Sequence, residues 1–375
     1  MSAKAKLPRW AELVLLPVLN LFVALLLSGA VIALLGESPW EAFKLMLDGS
    51  LGSQDGVGYT LYYATNFIFT GLGVAVAYHA GLFNIGAEGQ AYIGGLGIGL
   101  AALWLGDTSP WLALPVAVIG GAVFGAAWAF LPGWLQARRG SHIVITTIMF
   151  NFIAAATMTY LLVNVLIRPG QQSPESREFG PAAFLPQMHE VLAKVGIEFT
   201  ATPFNLAFVL ALLAAAFVWV FIWHTRWGYA LRVAGENASA AVYAGIAPPR
   251  VIIGAMLLSG ALAGGLGVNE LLGSQHRLLI DFPGGAGFVG IAVALMGRNH
   301  PVGILIAAIL FGALYQGGSQ LAFDMPKINR DMVIVIQGLV ILLCGAMENV
   351  LRTPLAKLFG LFARPASTAA VGDAR

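Results

Sequence analysis

Charge is what this sequence has least of. Only 10% of its 375 residues are Asp, Glu, Lys or Arg, against about 25% in a soluble globular domain, so it lacks the charged shell of a water-soluble fold. Cysteine is nearly absent as well. Cys344 is the single one, which rules out an intrachain disulfide. No G-x-x-x-x-G-K-[ST] stretch occurs anywhere, so this chain does not hydrolyse ATP by a P-loop and no cofactor is expected in it. The six histidines, 79, 142, 189, 224, 276 and 300, are scattered without metal-ligand spacing to one another or to the cysteine. No Ser/His/Asp or Cys/His arrangement is supported by spacing either. These absences argue against an enzyme, a metal site and a nucleic-acid binder.

What the chain does have is apolar length. It is 58% hydrophobic with a mean hydropathy of +0.81, the composition of an all-α polytopic membrane protein. The 46 glycines agree, because helices in lipid associate through small residues that permit close packing. Gly95–Gly99, Gly121–Gly125 and Gly260–Gly264 have G-x-x-x-G spacing within apolar runs and are read as packing sites. Runs long enough to cross about 30 Å of hydrocarbon fall near 12–36, 59–78, 85–105, 111–131, 143–167, 204–224, 250–271, 284–297, 301–318 and 331–350. Lys4, Lys6 and Arg9 before the first run imitate a signal peptide, but the run is too long for an h-region, and an uncleaved first span is predicted.

Ten spans can be tested against the positive-inside rule. With the N-terminus in the cytoplasm, the inner segments hold 13 lysines and arginines and the outer ones 7, together the 20 in the sequence. Removing any one span reverses every later loop, so the charge bias supports ten spans with both termini cytoplasmic. The predicted organisation is a transmembrane domain over 1–352, an extracytoplasmic loop over 168–203 that caps the outer mouth, and a cytoplasmic tail over 353–375 with a disordered end beyond Arg364.

Two polar stretches interrupt the apolar pattern. In 226–250, RWGYALRVAGENASAAVYAGIAPPR, Glu236 and Asn237 suit an N-cap and first turn, Gly245 suits the C′ position, and Pro248 and Pro249 end the helix. A helix of about two turns cannot hold itself together in water, so it must dock. It is either a connection packed on its own chain or a helix offered to a partner, with Ala238, Ala240, Ala241 and Ala244 allowing close approach. The second stretch is 78–90, YHAGLFNIGAEGQ. Glu88 is read there as the only acid well away from a span end, with Phe83, Asn84 and Gln90 nearby and three glycines permitting an irregular backbone. Ionisable groups inside a membrane are costly and need partners. Glu88 either lines the inner mouth of a pathway or is hydrogen-bonded and holds a broken helix together. Thr146, Thr147 and Asn151 add a polar run to the fifth span, with Thr147 and Asn151 on one face; interhelical bonding and pathway lining suit them equally. A single intramembrane carboxylate is little for an ion-coupled carrier, which favours energy supplied from outside the chain.

Four stretches bear a family resemblance. AGLFNIGAEGQ (80–90), ITTIMFNFIA (145–154), GIAVALMGRNHPVGILIAAILFGALYQGG (290–318) and the loop RVAGENASAAVYAGI (232–246) resemble the permease subunits of ATP-binding-cassette importers for branched-chain amino acids, simple sugars and nucleosides. The first two are closest to the nucleoside branch, although SHIVITT (141–147) lacks the acid that this branch tends to carry before ITT. The resemblance covers most of 59–350. It implies a type II importer architecture of ten spans in two inverted halves, spans 2–5 and 7–10, in a bacterial cytoplasmic membrane. It also implies three kinds of partner: a cytoplasmic ATPase that binds the ATP, a second permease subunit in a heterodimer, and an extracytoplasmic solute-binding lipoprotein. On this resemblance, Arg232, Gly235, Glu236, Asn237, Ala240, Ala241, Tyr243, Ala244 and Gly245 would couple to the ATPase. Phe83, Asn84, Glu88, Gln90, Thr146, Thr147 and Asn151 would line the pathway. The alternatives are a secondary ion-coupled carrier of small polar solutes and, third, a channel.

Overall fold

The structure, a computed structural model, describes Pro8, Ala11 and residues 15–325 and 327–362. The tail beyond Arg364 and the opening basic residues lie outside the described residues. Helix dominates: α1 (Leu16–Leu34), α2 (Pro39–Leu51), α3 (Gln54–His79), α4 (Ala87–Leu105), α5 (Pro110–Arg139), α6 (Ile143–Asn164), α7 (Met188–Ala193), α8 (Ala207–His224), α9 (Arg226–Glu236), α10 (Ala238–Tyr243), α11 (Pro248–Gly264), α12 (Ala286–Met296), α13 (Pro301–Asp324) and α14 (Arg330–Phe362). A 3-10 turn covers Pro181–Ala183 and a π-helical stretch Val268–Gln275. Among the described residues there are isolated bridges but no strands.

Each of the ten apolar runs overlaps one of these helices. Among the described residues, six segments are long and apolar enough to cross a membrane: α3, α5, α6, α8, Pro248–Gln275 and α13, with a seventh if α1 and α2 count as one. At 11 residues α12 is apolar but short.

Two compact units are present: residues 40–337, and residues up to Pro39 together with those from Gly338 on. In the second, Ala11 and Leu16 are buried against Leu355 and Ala356. The first is organised around α3, which packs on α8, α11, α12 and α13. Its apolar window is 89% buried, against 22% for α5 and for α6. That burial explains why α3 carries Tyr62, Thr65, Asn66 and Thr70 without cost: each is hydrogen-bonded inside the protein, as buried polar groups must be where no water reaches them. α5 lies along α4 and α11. A methyl group at Gly260 would overlap the carbonyl oxygen of Gly125, and one at Gly264 that of Gly121. The two G-x-x-x-G pairs therefore face each other and set the α5–α11 distance.

The 168–203 segment is ordered by backbone bonds to the π-helical stretch and the chain that follows it. Ser176 and Phe179 donate to the carbonyls of Leu278 and His276 (3.0 and 2.7 Å), and Leu185 donates to that of Leu272 (2.9 Å). Arg277 and Glu175 pair across the same seam at 3.1 Å.

Candidate functional site

The break between α3 and α4 is built from amide side chains. Seven residues, 80–86, leave the helix after His79, starting with Gly81 in the left-handed region at φ +74°. Asn84 accepts the Gly86 N–H at 2.8 Å and donates from Nδ2 to Gln90 Oε1 (3.0 Å) and Ser259 Oγ (2.8 Å). Gln90 returns a bond to Asn84 Oδ1 at 3.2 Å, and Ser259 donates onward to the Gly73 carbonyl at 2.7 Å. From α6, Asn151 accepts the Gly89 N–H at 2.9 Å and donates to the Ile85 carbonyl at 2.9 Å. A broken helix leaves unpaired backbone groups that cost several kcal/mol each in a membrane. Here Asn84 and Asn151 pair three of them, and Gln90 holds the Asn84 side chain in place. Thr147 packs beside Gly86 and bonds back to the Ile143 carbonyl at 2.8 Å. Thr146 bonds to the His142 carbonyl, shows no bond to the break, and stands apart from this set.

Glu88 sits in the first turn of α4 with both carboxylate oxygens engaged. Oε1 accepts the Gly285 N–H at 2.8 Å and Oε2 the Gly287 N–H at 2.7 Å. These N–H groups belong to the start of α12, whose N-cap Gly285 is left-handed at φ +83° and makes no side-chain cap of its own. A carboxylate from another helix thus supplies the cap and meets the positive end of the helix dipole. Glu88 is hydrogen-bonded as one of the two sequence readings expected, but to the start of α12 and not across the α3–α4 break.

The expectation that Glu88 is the only acid well away from a span end is corrected. Glu270 lies in the π-helical stretch, within the crossing segment Pro248–Gln275, and is 8% exposed. Tyr62 donates to its Oε2 at 2.7 Å and Asn66 to its Oε1 at 2.5 Å. Asn269 extends the cluster, donating to Asn66 Oδ1 (2.8 Å) and the Tyr62 carbonyl (3.0 Å) and accepting from Asn205 (3.0 Å). In sequence Glu270 looked like the outer end of a run ending at 271. The extra residue per turn of a π-helix carries the helical segment on to Gln275. The legible signal was Tyr62 and Asn66 at i,i+4 in an apolar run, which calls for a buried partner.

The 226–250 stretch forms two helices, not one. Glu236 ends α9, so the N-cap falls one residue later than the expectation of Glu236 as N-cap and Asn237 in the first turn. Asn237 is the N-cap of α10, its Oδ1 accepting the Ala240 N–H at 3.0 Å. Gly245 is left-handed at φ +75°, its N–H bonding to the Val242 carbonyl (3.0 Å) while Ile246 bonds to that of Ala241 (2.9 Å). That pair of bonds is a Schellman cap. Ala241, expected on the docking side, is instead 0% exposed, turned into its own chain. Ala238, Ala240 and Ala244 are exposed, as are Val242 and Tyr243, the last at 95%.

The two polar stretches meet. Tyr78, His79, Gly81, Leu82 and Phe83 form one wall of a cleft of about 470 Å³, and Arg232, Gly235 and Glu236 form the other. Phe83, at 36% exposure, therefore faces the α9 end rather than the amide set around Asn84.

A helical bundle with several long apolar helices, whose buried polar side chains bond within the protein, has the build of a multi-pass membrane protein. Comparison with known proteins gives the family. Residues 56–345 match the family described as "Branched-chain amino acid transport system / permease component", and the chain belongs to it: it is a multi-pass ABC transporter permease, not an enzyme. It is 34% identical to the guanosine ABC transporter permease protein NupP of Bacillus subtilis, over 92% of this chain and 96% of that protein. It is also 34% identical to the glucose ABC transporter permease protein TsgB13 of Haloferax volcanii (87% and 85%). The nucleoside ABC transporter permease protein NupB of Lactococcus lactis follows at 32% (86% and 89%). No solved structure matches.

Proposed function

We propose that the chain is the membrane-spanning permease subunit of an ATP-driven importer for a nucleoside or a simple-sugar-type solute. The observation that carries this reading is the similarity to NupP over nearly the whole of both chains. An extracytoplasmic binding protein delivers the solute over the 168–203 loop, and a cytoplasmic ATPase docks on 226–250. A second permease subunit completes the pathway. Ten spans with both termini in the cytoplasm accord with the 13-to-7 distribution of basic residues; two inverted halves in a bacterial membrane follow from the family resemblance. The permease then needs a route that does not hold the solute, which suits polar side chains already committed to backbone bonds.

Glu270 gives the ion-coupled carrier one supporting observation, a buried carboxylate within a crossing segment. Its oxygens are already occupied by Tyr62 and Asn66, so the importer reading is preferred. Reconstitution separates the two. With binding protein, ATPase and second permease present, ATP should drive nucleoside or sugar uptake, and omitting any one should abolish it. Accumulation by the lone chain in a proton or sodium gradient would establish the carrier instead. In intact cells, with Cys344 replaced, single cysteines in 170–200 should react with an impermeant thiol reagent and those in 226–250 should not; the reverse pattern would overturn the topology.

A further inference from the structure

The contact between the α9 end and the α3–α4 break is made by bare backbone. A methyl group on Gly235 would overlap the His79 carbonyl oxygen and lie 2.8 Å from the Gly81 nitrogen; one on Gly81 would lie 2.9 Å from the Gly235 carbonyl oxygen. Neither glycine can gain a side chain without separating the two segments. His79 fixes a third segment to the same point, its Nε2 lying 3.0 Å from the Asn299 carbonyl oxygen. Arg298 and Asn299 hold that α12–α13 turn in consecutive left-handed conformations, at φ 55° each. The His79 ring meets Trp223 of α8 edge-on at 5.3 Å, and Trp223 meets His300 at 4.9 Å. The ends of α3, α8 and α9 and the α12–α13 turn are thus joined around Gly81, His79 and Gly235. From this joint the rigid amide set of the break leads to Gln90 and Asn151, and α12 leads back to Glu88.

We propose that Gly235 and Gly81 form a rigid joint through which movement of the 226–250 segment is passed to the α3–α4 break. Both are positioning residues for coupling, acting through the backbone. The inference rests on the reading of 226–250 as the ATPase-docking segment. Motion imposed on α9 reaches the break directly, because nothing compressible lies between Gly235 and Gly81. Side-chain contacts elsewhere on α9 can yield by changing rotamer; two backbones in direct contact have no rotamer to change.

Gly235→Ala is the informative variant. Gly235 lies within α9 without a positive φ, so alanine favours the helix itself and its only penalty is at the joint. In the full complex with ATPase, second permease and binding protein, we expect the ATPase to copurify at the wild-type ratio. Solute moved per ATP hydrolysed should fall about tenfold, the factor to which ordinary overpacking converts. Gly254→Ala, where a methyl group meets nothing within 4 Å, should leave the ratio unchanged. A second measurement needs no substitution. In wild-type permease, amide exchange at 80–83 should slow together with that at 233–236 when the ATPase binds, because the joint passes the constraint on. Failure of wild-type chain to bind the ATPase overturns the docking reading itself. Wild-type binding and transport with an unchanged ratio in Gly235→Ala, or exchange at 80–83 that does not respond while that at 233–236 does, overturns the joint alone. If Gly235→Ala does not insert, the exchange result decides.

Discussion

The stretches 78–90 and 226–250 are similarly polar, yet the structure treats them in opposite ways. In 78–90 the amide and carboxylate side chains of Asn84, Glu88 and Gln90 all end on groups of the same protein, and Asn84 and Gln90 are buried. In 226–250 the helix ends are satisfied locally by Asn237 and Gly245, while Val242, Tyr243 and Ala244 are left in the open. Polarity in an apolar chain therefore has two meanings. Where it is bonded inward it maintains a backbone that could not otherwise exist in lipid; where it is capped but exposed it presents a surface. Only the second leaves an aromatic side chain, Tyr243, almost wholly in the open.

The largest expected effect breaks the inward half. Glu88→Leu removes the cap of α12 and leaves the Gly285 and Gly287 N–H groups without a partner, at several kcal/mol each in a membrane interior. Inserted, monodisperse protein should be lost, as read by size-exclusion yield in detergent. Glu88→Gln keeps one acceptor oxygen and should retain assembly and much of the transport, with a lower thermal midpoint. Should Glu88→Gln assemble normally but fail to transport, the charge itself matters and the inward reading fails.

A smaller effect tests the outward half. Tyr243→Ala removes a ring that contributes almost nothing to the chain's own packing, so the thermal midpoint of the permease should not move. ATPase affinity should fall by roughly 30-fold, the scale of losing an aromatic anchor, measurable by titration of detergent-solubilised permease. A midpoint that drops with unchanged ATPase affinity would reverse the assignment. Smaller again is Gly245→Val. A β-branched residue is strained at φ +75°, which should fray α10 and lower ATPase affinity about tenfold, without affecting insertion.

Much of this contrast was legible in the sequence. Cap residues act within four positions of themselves, so Gly245 could be assigned by spacing and the N-cap placed to within one residue, and the facing G-x-x-x-G pairs announced close packing. The ten apolar runs likewise located ten of the fourteen described helices, because hydrophobic length is a local property. Relations between distant segments were not legible. Glu88 capping α12 spans almost two hundred residues of chain, and Glu270 meeting Tyr62 and Asn66 spans slightly more. Neither leaves a periodic trace. The inward turn of Ala241 was invisible for a related reason: on a helix of six residues composition alone does not say which side packs, and four alanines look alike.

Backbone amide hydrogen exchange of the permease, with and without its ATPase, tests the comparison most directly. The account predicts slow exchange over 84–90 in both states. It predicts exchange over 237–245 that is fast in the free permease and strongly slowed in the complex. Exchange over 237–245 that is unaltered by ATPase binding would contradict it.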